Sequence, residues 1–336
     1  AQDSQREVTP AQVVSHPDVY VTAALVGQWN EANEADCQLI SRVSGIDFSS
    51  WLKSAREALL QSGSRMTLKE GHWSISERSV VLSDVAPHIF NEHLERFGQA
   101  AVDVLSEVDP KFDMPPDERV LASIRGRRMT YSRDLRQGIA EGLAILSNSK
   151  IPLPSCNHDK RESTIFVAIR DVLNDAGGLT WASLNDVLPQ LAEASPASFL
   201  NAVEAGLNAK PCPFDVVFDQ EEAGFMGTTY MSGLLWALET LAWDATLLSR
   251  VVICLGDLAA RDSGGSWSNR PSNSLVTILL PWLPQTTASF VQQAAAVRAL
   301  ISESPSVGWT LLIGLLPNIH STSSGSRSPM WFRAIP

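Results

Sequence analysis

Two serines stand three residues ahead of a lysine, in Ser50-Trp-Leu-Lys53 and Ser147-Asn-Ser-Lys150. At that spacing a lysine one helical turn away can take the serine proton and make a nucleophile for acyl transfer. Enzymes of that kind also use Ser-Asp-Asn and Lys-Thr-Gly segments, and neither occurs here. A three-letter pattern recurs by chance, so a structural serine beside a solvated lysine is the expected reading of both. His88 and His93 are five residues apart and fall on different faces of a helix, and Cys156-Asn-His158 lacks a second ligand pair, so no zinc centre is expected. Asp215, Glu221 and Glu222 lie near Gly224 and Gly227, which reads as a solvated turn rather than an acid/base pair. No G-x-x-x-x-G-K-[ST] is present, so no phosphate-cradling loop exists in this chain. The expectation is a chain without a catalytic site, cofactor or metal of its own.

The charged residues narrow the partner. Arg125, Arg127, Arg128, Arg133 and Arg136, within Ile124 to Leu146, form the densest basic cluster and the one candidate for a contact with an anionic surface. Their plainer role is pairing with neighbouring acids on a solvated face. A net charge of -11 argues against a phosphate backbone as the main partner, since that contact needs an excess of lysine and arginine. Four scattered cysteines without paired spacing favour a reducing, cytoplasmic setting. The apolar runs Leu275 to Leu283 and Leu311 to Leu316 are cut by proline and fall short of the ~18–20 residues of a membrane span. The chain opens on alanine and stops soon after the Ser/Gly-rich stretch Ser321 to Ser328, which reads as a processed protein or a piece of a longer one.

The elements that must position these residues are helical almost throughout. Met231 to Leu241 and Leu247 to Leu258 each repeat apolar residues at the spacing of one helical face, with Trp243-Asp244 between them, which predicts an antiparallel helical hairpin. Residues 1–27 form a lead-in whose helix starts at Thr9-Pro10. In 28–95, a helix stopped by Gly45, a second over Phe48 to Gln61, alternating residues around Lys69-Glu-Gly-His72 and a short helix near Val80 to Ala86 are the parts of a winged-helix-like module. Its second helix offers only Lys53 and Arg56 to a nucleic-acid groove, so nucleic acid is not the expected partner. Residues 96–150 are connecting helices with the basic cluster, and the Pro-rich Ile151 to Asp159 opens a helical region over 151–336. There a helix is expected over Leu184 to Ala192. An echo of Ser195-Pro196, Trp243-Asp244 and Ser304-Pro305 ahead of bulky apolar residues suggests a degenerate HEAT/TPR-like repeat array. The fold class is mainly α.

Several stretches carry a resemblance: Gly27-Gln-Trp29-Asn-Glu-Ala-Asn33, the wing around Trp73-Ser-Ile-Ser, Tyr131-Ser132-Arg-Asp-Leu135-Arg136, Leu238-Glu-Thr-Leu-Ala-Trp243, Trp267-Ser-Asn-Arg270-Pro271 and Leu280-Pro-Trp282. Together they resemble the region downstream of the ATPase in large bacterial STAND-type NTPases, notably the AVAST antiphage proteins. The likeness runs from about Gly27 to Pro317 and implies a winged-helix linker followed by the start of a helical-repeat sensor. Such proteins bind a phage protein and assemble to switch on an effector. This chain departs from their plan in lacking the P-loop and any effector. The resemblance implies a protein partner, or other domains of a parent chain. It marks Arg127, Arg128, Arg133 and Arg136 as a polar contact or interdomain patch, and Trp267, Asn269, Arg270 and Trp282 as a repeat-surface contact. Rival readings are a stand-alone helical scaffold for protein assembly and a hydrolase with an unrecognised site.

Overall fold

The computed structural model describes residues 15–221, 228–265, 267–283, 285–317 and 325–331. The helix start expected at Thr9-Pro10 and the turn residues Glu222, Gly224 and Gly227 lie outside them. The chain is mainly α-helical with one small antiparallel sheet. Helix α1 (Pro17–Val26) begins with proline, whose missing N–H is no loss in a first turn, and every residue from Val19 to Val26 is buried. Residues 17–26 of the lead-in thus form a core helix, packed on the elements that follow.

Strand β1 (Gln28–Asn30) leads into α2 (Glu34–Ser44), whose cap Asn33 accepts from the Asp36 N–H and whose end is Gly45 at φ 74°. Asp47 then caps α3 (Phe48–Leu59) by accepting from Ser49 and Ser50 N–H groups. Strands β2 (Met66–Lys69) and β3 (His72–Ile75) meet across Glu70 and Gly71, both at positive φ, the two-residue turn whose twist suits a hairpin. The sheet order is β1-β3-β2, and it sets Trp29 opposite Trp73. Those two indoles stack with centroids 5.5 Å apart, and Trp51 of α3 meets Trp29 edge-on at 5.3 Å. One fully buried indole comes from each of β1, α3 and β3, and the three pack together.

Helix α4 (Arg78–Val85) carries a buried arginine at its first position. Arg78 donates to the carbonyls of Ala24, Leu25 and Gly138, so it satisfies the open C-terminal end of α1 while bridging to α6 (Arg133–Asn148). Burial pushes its pKa down to about 10, which leaves it charged at neutral pH. The approach of α6 depends on glycine: a Cβ at Gly138 would lie 2.4 Å from the Val26 carbonyl oxygen, and one at Gly142 2.4 Å from that of Leu25.

Helix α5 (Asn91–Leu105) starts with the Phe90 N–H donating to His93 Nδ1 at 3.1 Å, a bond that requires a neutral ring nitrogen. Burial, with Arg96 nearby, lowers the His93 pKa below its ordinary value. A depressed base contributes stability that is present above pH 6.5 and is lost as pH falls toward the folded pKa. Acidification from pH 7 to 5 is therefore expected to lower stability through this cap. His93→Gln keeps an acceptor and should remove that loss, as urea midpoints at the two pH values would show; equal slopes for both proteins would refute it.

The Pro-rich connection after α6 is docked rather than free. Ser155 Oγ donates to the Pro87 carbonyl, and the Asn157 N–H to Asn91 Oδ1. Then follow α7 (Lys160–Leu173), α8 (Gly178–Ser183), α9 (Leu188–Ala194), α10 (Pro196–Asn208) and α11 (Pro213–Asp219). The helix expected over Leu184 to Ala192 is broken, because Pro189 has no N–H to give the preceding turn and instead sits in the first turn of α9. The expected hairpin is α12 (Ser232–Ala242) and α13 (Leu248–Arg261), followed by α14 (Pro271–Ile278), α15 (Phe290–Glu303) and α16 (Pro305–Gly314). Ser195 and Ser304 are alike in conformation, φ -148° and -133° with ψ 83° and 79°, and each alone joins two helices. Asp244 does not follow them; it accepts from Thr246 N–H within a longer corner. One buried apolar cluster continues from Val19 through to Leu311. No described helix is long and apolar enough to cross a membrane.

Candidate partner-binding cleft

The start of α6 is fixed before its arginines are placed. Ser132 caps it by accepting from the Leu135 N–H, and is itself held by Asp36, which takes the Ser132 N–H at 2.9 Å and its hydroxyl at 2.5 Å. Burial pushes the Asp36 carboxyl up, against the lowering effect of those donors and of the Asn30 N–H. From this start Arg133 projects outward with 86% of its side chain exposed, in contact with Asp186 at 3.1 Å. Arg136, one turn on, is 7% exposed. It donates to the Val104 and Ser183 carbonyls at the C-terminal ends of α5 and α8, where helix dipoles favour a cation. Burial lowers its pKa, opposed by Glu107, Asp109 and Asp186.

These two arginines line a cleft of about 440 Å³ between the start of α6, the α8–α9 connection and the turn Pro110–Asp113. Lys111 stands over the Tyr230 ring at 4.9 Å, with its Nζ 3.1 Å from Asp109. Three cations here face the two carboxylates Asp109 and Asp186, with Tyr131 and Tyr230 as apolar walls. Such a cleft suits an acidic side chain flanked by apolar surface. Nothing in its lining pairs a nucleophile with a base.

Arg127 and Arg128 do not reach it. Helix α6 begins only at Arg133, so they lie in the preceding turns, Arg127 3.4 Å from Asp113 and Arg128 donating to the Ser123 carbonyl. In the second group, Trp267, Asn269 and Arg270 share the α13–α14 connection. Arg270 is a brace there, 2.7 Å from Glu221 and 3.1 Å from Asp262. Trp282 is exposed beyond the other end of α14, a helix length or roughly 12 Å away, so the structure does not gather the four. Ser50 lies in the first turn of α3 with its N–H on Asp47. Among the described residues no group of three His, Cys, Asp or Glu side chains is placed to hold a metal ion. Lys111, Asp186 and Tyr230 escaped the sequence reading because they are far from α6 along the chain; the Asp109-Pro110-Lys111 turn is the local signal that could have drawn attention. No family model, curated protein or solved structure matches this chain.

Proposed function

We propose that this chain is a non-catalytic recognition and regulatory segment, a winged-helix module followed by a helical-repeat region, working within a larger bacterial antiviral STAND-type NTPase in the cytoplasm. The observation that carries the reading is the cleft at the start of α6, where Lys111, Arg133 and Arg136 converge with two tyrosines and no reactive pair. It suits an acidic loop of a protein partner, a phage protein in this reading. The order α1-β1-α2-α3-β2-β3 with sheet order β1-β3-β2 supports the winged-helix assignment. The outward face of α3 offers Lys53 and Arg56, the latter 3.3 Å from Glu31, which is too little cation to hold a duplex. The matching one-residue corners at Ser195 and Ser304 support a repeat. The exposed Trp282 serves as a second contact along the repeat.

The test is affinity capture with this chain from phage-infected and uninfected bacteria, read by mass spectrometry, beside the variant Lys111→Glu/Arg133→Glu. One phage protein enriched from infected cells, and reduced about tenfold or more by the variant at unchanged melting temperature, is the expected result. Host proteins alone in both lysates would overturn the sensor reading in favour of a scaffold.

A further inference from the structure

The segment 325–331 lies across α9 and α12, and most of its hydrogen bonds are made by its main chain. The Arg327 N–H donates to Glu239 Oε2 at 3.2 Å, and its carbonyl accepts from Trp243 Nε1 at 3.1 Å. The Met330 and Trp331 N–H groups donate to the two carboxylate oxygens of Glu193 at 3.1 and 2.6 Å. Ser326 N–H donates to Gln285 Oε1 at 3.1 Å. The receiving side chains come from the last residues of α9, the middle and end of α12, and the turn after α14. Glu193 and Glu239 are both buried, an uncommon state for a carboxylate, which must then be met by donors. Glu239 is met by Ser274 Oγ and by the Arg327 N–H, and it has no ion-pair partner among the described residues.

Among its side chains, Trp331 packs partly buried against the core and the Ser326 hydroxyl reaches Gln285 Oε1 at 3.5 Å. Met330 is exposed, and the Arg327 guanidinium lies over the Trp236 ring at 5.1 Å. A surface that holds a chain largely by its amide groups reads an extended backbone, with one cation and one indole as the discriminating side chains. Two buried carboxylates also disfavour an empty trough, since a departing occupant takes amide donors with it.

We propose that the trough across α9 and α12 is a receptor for an extended polypeptide of a partner protein, one that carries an arginine followed three and four residues later by free amide N–H groups. Residues 325–331 occupy it as a self-ligand. The partner binds by displacing this strap, so the strap sets a threshold for recognition. The trough is separate from the cleft at α6, and its use by a partner does not rest on what that cleft binds.

The test uses the full chain and a labelled, end-capped peptide of the sequence Gly-Ser-Arg-Ser-Pro-Met-Trp, followed by fluorescence anisotropy. Arg327→Pro/Met330→Pro removes two strap donors, and this variant is expected to bind the peptide at least tenfold more tightly than the unsubstituted chain. Adding Glu193→Gln, which turns an amide toward the peptide N–H groups, should reverse the gain. In the unsubstituted chain, excess peptide should accelerate hydrogen exchange at the Met330 and Trp331 amides, a readout that stands even where the proline variant fails to fold. Equal peptide affinity with and without the proline substitutions would overturn the proposal, as would strap amides whose exchange the peptide leaves unchanged. A concentration-dependent dimer of the unsubstituted chain with no peptide binding would overturn it in favour of strap exchange between copies.

Discussion

Arg78→Met is expected to lower the free energy of unfolding by about 3 kcal/mol. Two opposed changes set the magnitude. Losing the guanidinium strands the Ala24 and Leu25 carbonyls at the buried end of α1, at about 1–3 kcal/mol each. It also releases the desolvation that holds the Arg78 pKa down to about 10, which returns part of that loss. Glu141, 3.9 Å away and partly exposed, keeps its own hydration and adds little. The methionine stem fills most of the space left behind, so the cavity contribution is small. Urea denaturation at pH 7 measures the outcome, and a midpoint equal to that of the unsubstituted protein would refute the capping role. Gly142→Ala should fail by a related route, since its Cβ would sit 2.5 Å from Arg78 Nη2 and 2.4 Å from the Leu25 carbonyl.

Asp36→Ala is expected to cost a similar amount, about 3 kcal/mol, by leaving three donors without an acceptor: the Asn30 N–H, the Ser132 N–H and the Ser132 hydroxyl. These belong to the end of β1 and the cap of α6, so the loss is expected to loosen the seam that positions Arg133 and Arg136. Asp36→Asn should cost less, because one carbonyl oxygen still accepts while its NH₂ faces a donor. The sign of the pH dependence follows from the raised carboxyl pKa. A raised acid contributes stability that is fully present below the ordinary value of 3.8 and is lost as pH rises through the folded pKa. Over that window the unsubstituted protein should lose stability relative to Asp36→Asn. Denaturant midpoints of the two proteins across pH 4 to 7 read this directly; a gap that is constant with pH would show that Asp36 does not titrate there.

The positions that the sequence reading reached are those specified by near neighbours. Gly45 stops α2 and the pair Glu70-Gly71 turns the hairpin, each through a contact within a few residues. The α12–α13 hairpin was legible for the same reason, since its apolar faces repeat every three to four residues. The break at Leu184 to Val187 was missed because apolar periodicity continues through it, and the proline at 189 outweighs the pattern.

For the candidate site, the sequence determined that arginines cluster before and within α6 and that the chain is mainly helical. Only the tertiary structure decided which arginines do what. Arg136 turns inward because the ends of α5 and α8 both meet it, Arg133 reaches Asp186 from the α8–α9 connection, and Arg270 is consumed by Glu221 and Asp262. The docking of 325–331 on Glu193 and Glu239 joins residues some 90 to 140 positions apart. Helical periodicity and capping record interactions between residues a turn apart, and so they are written in the local sequence. The fate of a charged side chain depends on which distant helix end or carboxylate the fold brings beside it, and no local pattern carries that information.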